Sequence, residues 1–151
     1  MAKIWVQNRQ KRIPLDLKKI KRAAHQILAA LELPEAELSI LLVDDPQIQE
    51  LNRRYLHRDK PTNVLAFPMR KGRGPALHPS LLGDLVISAE TAQRQSNRFG
   101  LNDFEMITLL MIHGLLHLVG YEHEGTRKGA QAMAKKQKEL LQKCRSIGVM
   151  E

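Results

Sequence analysis

From Met106 to Gly120 the chain reads M-I-T-L-L-M-I-H-G-L-L-H-L-V-G, its longest apolar run. The run is short of the roughly 20 residues that a membrane crossing needs, and it carries two histidines. It is therefore read as a core helix. Apolar residues surround it on nearly every side, so the rest of the protein has to enclose it. Asn102 and Glu105, at capping-box spacing, open this helix. Gly120 is expected to end it in the left-handed backbone that commonly follows a last turn.

The polar residues inside that run carry the chemistry. His113 and His117 stand four apart, which on an α-helix places them about 40° apart and one turn above the other. Both imidazoles can then point at one atom. After the break at Gly120 the chain turns back within two residues and delivers His123 from outside the helix. Two ligands on one turn and a third after a break make a three-nitrogen metal site, suited to zinc and neighbouring transition metals. Three protein ligands also leave a fourth position open to water, the mark of a catalytic zinc site.

The segments around this helix predict its covering. Lys3 to Asn8 reads as a short strand. Leu17, Ile20, Ala24, Ile27, Leu28 and Leu31 recur at helical spacing until Leu33-Pro34 stops them. Leu38 to Val43 is a continuous apolar run, as in a strand covered on both faces. Asp45-Pro46 predicts an N-cap with proline at the first helical position, followed by a helix burying Ile48, Leu51 and Tyr55. Asp59 is expected to cap a turn at Pro61, before a strand over Val64 to Phe67 closed by Pro68. Arg70 to Ser80 is glycine- and proline-rich loop, and Leu82 to Ile87 is the next strand. Ser88 caps a helix to Phe99, with Gly100 past its end. A last helix starts near Thr126, with Ala130, Met133, Gln137, Leu140, Leu141 and Cys144 along one side. The order predicts an α+β fold, a single domain over residues 1–151 with a small mixed sheet of about four strands packed by helices.

Charge narrows the partners. Net charge is +8, and the cations cluster in Met1 to Arg22, Arg53 to Arg73 and Arg127 to Arg145. Such clustering suits a polyanion, for which the common choice is a nucleic-acid backbone. Arg53, Arg54, Arg58, Lys60 and Arg70 are the candidate RNA contacts. Aromatic residues make up only 4% of the chain, so no stacking platform is evident and binding is expected to rest on charge and shape. Met1 to Gln10 mixes Trp5 and Val6 with Lys3, Gln7, Asn8 and Arg9, unlike a secretory signal. The lone Cys144 suits a reducing compartment and is read as a packed thiol. A cytoplasmic location is expected, with no membrane association.

A metal held by three histidines directs attention to hydrolysis of a peptide bond or a phosphodiester. Zinc peptidases with this histidine spacing use H-E-x-x-H, the glutamate serving as general base. Here that position is Gly114, and a phosphodiester fits the basic clusters better. Mid-helix glycine costs about 1 kcal/mol relative to alanine, so a packed strand or a substrate must approach closely there. Asp84 is a candidate either to orient a histidine or to bond a strand end.

The motif H-G-x-L-H-L-x-G-Y-x-H, met by His113, Gly114, Leu116, His117, Leu118, Gly120, Tyr121 and His123, resembles that of the YbeY family. The stretch Asp59 to Pro68, preceded by Leu51-Asn52 and Tyr55, resembles the family's central segment, and Leu82 to Ser88 its following strand. The resemblance implies a bacterial, single-strand-specific, metal-dependent endoribonuclease. It would mature ribosomal RNA, notably the 3′ end of the small-subunit RNA, and serve in ribosome quality control. It also implies one zinc on His113, His117 and His123, and association with the small subunit, one of its proteins and a ribosome-assembly GTPase.

Three departures stand out. Leu56 occupies the place of a family arginine implicated in activity, and Arg58 is the candidate to supply that charge as a catalytic residue. Glu122 stands for the usual aspartate before the third histidine, and the segment after His123 is basic. The alternatives are a ribosome-assembly factor binding RNA and protein with a mainly structural metal, and, more remotely, a metallopeptidase.

Overall fold

The computed structural model describes residues 1–69, 81–121 and 126–146. Elements follow in the order β1 (Lys3–Asn8), α1 (Leu17–Ala30), β2 (Glu37–Val43), α2 (Asp45–Leu56), β3 (Val64–Pro68), β4 (Leu81–Ser88), α3 (Ala89–Phe99), α4 (Asp103–Leu118) and α5 (Arg127–Ser146). The strands form one mixed sheet in the order β1-β2-β4-β3. β1, β2 and β4 are parallel, and β3 runs antiparallel to β4 at the edge. This is the expected α+β architecture.

Strand alternation assigns the two faces. Val6, Ile40, Leu85 and Ala66 share one register row and belong to the main core with α1 and α4. The next row, Gln7, Leu41, Val86 and Leu65, points to the other face, where Val86 and Leu65 pack with Val43 and Ile48 beneath α2. Within the main core α4 buries Met106, Ile107, Leu110, Met111, Leu115 and Leu116. Among the described residues no single helix is long and apolar enough to cross a membrane.

β4 carries one irregularity. Glu37 pairs with Leu81 but Leu38 with Gly83, so Leu82 is an extra residue at a bulge. Gly83 sits there at φ +143°, and a Cβ on it would lie 2.2 Å from the Phe67 carbonyl oxygen. Only glycine fits between the two strands at this point.

Local signals set the helix starts. Asn102 and Glu105 form the reciprocal capping box, Ser88 accepts from the Thr91 amide, and Asp16 accepts from that of Lys19. The start of α2 differs from expectation. Asp44 is the cap, accepting from the Gln47 amide at 3.0 Å, and Asp45 is already helical. Tertiary partners decide between the adjacent aspartates: Asp45 Oδ1 accepts from Ser88 Oγ and Thr91 Oγ1, each at 2.6 Å, while Arg94 lies 2.8 Å from Oδ2. Burial pushes the Asp45 carboxyl up, but those hydrogen bonds and the Arg94 charge together hold it below the usual carboxylate value.

Tyr55 also departs from expectation. It is 56% exposed, and Asn52 takes the buried place on α2. The helix ends over β3, the sheet's edge, so Tyr55 finds Phe67 on one side and solvent on the other. Cys144 is buried on α5 as a packed thiol, and burial raises its pKa.

Candidate metal centre and cleft

His113 and His117 project from the last two turns of α4. Their Nε2 atoms lie 3.2 Å apart, with the rings at 76° to each other. Two nitrogens bound to one tetrahedral zinc at about 2.0–2.1 Å would be roughly 3.3 Å apart. The pair thus already has the spacing that two ligands of one ion require.

Helix α4 ends as its sequence predicts. The Gly120 amide donates to the His117 carbonyl at 3.1 Å, and that of Tyr121 to Leu116 at 2.8 Å, the paired bonds of a Schellman ending. Gly120 has φ +103°. His123 lies outside the described residues, as does Arg70. Among the described residues no three His, Cys, Asp or Glu side chains converge.

The orienting partner of the pair comes from an unexpected element. His113 Nδ1 lies 3.2 Å from Gln137 Oε1 on α5. With the amide oxygen as acceptor, Nδ1 carries the proton, and the Nε2 lone pair is left facing His117. Asp84 does not fill this role. It pairs in register with Phe67, on the sheet face opposite Leu85, and it is Leu85 that meets α4. Gln137 was visible in the sequence only as a polar residue within the Met133–Leu140–Cys144 stripe.

Gly114 is explained by packing. A Cβ there would lie 2.6 Å from Leu85 Cδ2 and 3.3 Å from Val64 Cγ2. A packed strand makes the close approach, and its side chains crowd the place a glutamate would take between the histidines.

A cleft beside the pair is lined by His113, His117, Tyr55, Arg58, Lys60 and the length of β3. Its floor is a sheet edge. The Asn63 carbonyl and Met69 amide bond β4, so strand alternation turns the backbone groups of Val64 and Ala66 outward to the cleft. The loop bearing the cations is anchored from below. Asn52, 2% exposed, donates from Nδ2 to the Lys60 carbonyl at 2.9 Å and accepts from the Arg58 amide through its own carbonyl at 3.2 Å.

The four described candidates for RNA contact therefore separate. Arg58 and Lys60 line the cleft, and among the described residues no carboxylate pairs with either. Arg53 and Arg54 lie on α2 outside the lining, both paired with Glu50. Leu56, 49% exposed, also lines the cleft. Asp59 accepts from Gln49 Nε2 at 3.0 Å and does not cap the Pro61 turn.

The chain is similar to known proteins along almost its whole length. A family model described as Endoribonuclease YbeY matches residues 5–145. The chain is 45% identical over 146 residues to the Endoribonuclease YbeY of Syntrophotalea carbinolica, covering 96% of this chain and 97% of that protein. It is 40% identical over 140 residues to that of Geobacter metallireducens, covering 92% and 93%. The solution structure of TM1509 from Thermotoga maritima has a similar fold, with TM-score 0.63, 24% identity, and coverage of 100% of this chain and 96% of that one.

Proposed function

The chain belongs to the YbeY family of endoribonucleases, and on that premise we propose that it is a zinc-dependent, single-strand-specific nuclease of ribosomal RNA. As an endoribonuclease it acts on RNA. The finer role we assign is processing of small-subunit RNA at its 3′ end, together with ribosome quality control in the cytoplasm. Its partners there are the small subunit and assembly factors.

The observation that supports this reading best is the 3.2 Å separation of the His113 and His117 Nε2 atoms, at the wall of a cleft that also holds Arg58 and Lys60. His113, His117 and His123 would hold the zinc. Such an ion supplies Lewis acidity, making water acidic near neutral pH and polarising a phosphoryl oxygen. The chain's own groups do the rest. Arg58 and Lys60 attract the phosphate and steady charge developing on it, Arg58 in the role of catalytic cation. Gln137 holds the His113 tautomer that offers Nε2.

The direct test is cleavage of ribosomal RNA fragments by chelated and zinc-reloaded protein. Cleavage is expected only after reloading, and equal cleavage by chelated protein would count against zinc dependence. The orienting contact gives a second expected result. Gln137→Ala should weaken zinc binding by roughly 10- to 100-fold, as loss of a ligand's outer hydrogen-bond partner does. Gln137→Glu, which keeps an acceptor, should retain most of it. Competition with a chromogenic chelator measures both, and an unchanged affinity in Gln137→Ala would refute the assigned role.

A further inference from the structure

With only 4% aromatic residues the chain offers few rings for nucleobases, yet two of them meet in the cleft beside the histidines. Tyr55 and Phe67 pack edge to face, centroids 5.4 Å apart, and both line the cleft. Phe67 is part-buried on β3, while Tyr55 is 56% exposed. Tyr55 is held in place from two directions: by the last turn of α2, closed by His57 in the left-handed conformation, and by the Phe67 ring. Arg58 and Lys60 lie three and five residues on, in a loop pinned by the buried Asn52. An exposed, braced ring next to cations without carboxylate partners among the described residues matches a nucleotide: a base for the ring, a phosphate for the cations.

We propose that Tyr55 is a stacking shelf for one unpaired base of the substrate strand, the base beside the phosphate that Arg58 and Lys60 hold. The inference rests on the endoribonuclease reading above. It gives that reading a physical basis for strand selection. A base inside a duplex is stacked on both faces and offers none to Tyr55, whereas a single strand presents one at little cost. The shelf makes no contact with the phosphodiester to be cut. It sets which strand is held, not how it is cut, so Tyr55 is a specificity residue.

The test is equilibrium binding of the full-length, zinc-loaded protein to labelled single-stranded RNA, using cleavage-resistant 2′-O-methyl oligomers confirmed intact after measurement. One abasic nucleotide is moved along the oligomer. In the wild type, one position of the abasic nucleotide should weaken binding. Tyr55→Ala should lose about 5- to 150-fold in affinity for the intact oligomer, the range that base–aromatic stacking spans, and lose sensitivity to that position. Tyr55→Phe should bind within about twofold of wild type. Arg58→Gln with Lys60→Gln should flatten the salt dependence and leave the abasic sensitivity in place.

Equal weakening of intact and abasic oligomers by Tyr55→Ala would assign the ring to packing alone and overturn the shelf. So would unchanged binding. Failure of the wild type to bind any single strand would instead overturn the RNA reading beneath it. Retained metal-dependent cleavage with an intact Tyr55→Ala affinity would overturn the shelf and leave the nuclease standing.

Discussion

Replacing His117 with alanine is expected to abolish metal binding and RNA cleavage together. Loss of zinc would remove both the acidified water and the electrostatic stabilisation at phosphorus. The fall should be on the order of 10²–10³-fold or more, the scale seen when one preorganised stabilising group is lost. His117 is chosen because its Nε2 faces that of His113 at 3.2 Å, so its removal halves the described pair. The ring is only part-buried, and the fold should survive. The measurement combines metal content by elemental analysis, cleavage of a ribosomal RNA fragment, and a thermal melt of variant and wild type. Full-rate cleavage by metal-free His117→Ala protein would sink the zinc mechanism. Retained metal with lost cleavage would move His117 from ligand to some other role.

The second large effect is one of stability. Gly114→Ala places a methyl 2.6 Å from Leu85 Cδ2, in a side chain that is itself fully buried. Overpacking of this kind costs about 1–3 kcal/mol, and the gain in helix propensity returns only about 1 kcal/mol. A net loss of about 1 kcal/mol is expected. Gly114→Glu recreates the H-E-x-x-H pattern and should do far worse. Its carboxylate would enter the α4–β4 contact without a partner, a situation that costs roughly 3–5 kcal/mol. Denaturant midpoints for the two variants measure this directly. A Gly114→Glu protein as stable as wild type would show that the helix can lift from the sheet. Peptide hydrolysis by it is not expected.

Local signals made much of this molecule legible. The Asn102–Glu105 box, the Ser88 cap and the spacing of His113 and His117 are each decided within four residues, and each stands where the sequence placed it. The sheet class followed from apolar runs too short for core helices. Features set by distant pairings were not legible. Asp44 and Asp45 are equivalent as caps until Ser88, Thr91 and Arg94 claim the second. Tyr55 reads as an apolar stripe residue unless β3 is known to be the sheet's edge. Asp84 is set apart from the His113 and His117 pair only once its face of the sheet is known. Gln137 lies 24 residues beyond His113, and only the docking of α5 on α4 shows what it holds.

That last contact bears on when the protein becomes active during its own synthesis. Chains leave the ribosome from the N-terminus, and a domain generally folds as a unit. Arg58, Lys60 and Tyr55 emerge first, the α4 histidines later, and Gln137 last. The group that fixes the His113 tautomer is thus the last of these to be made. For an endoribonuclease, the contact that orients His113 therefore waits on the docking of α5, the last described helix to be made.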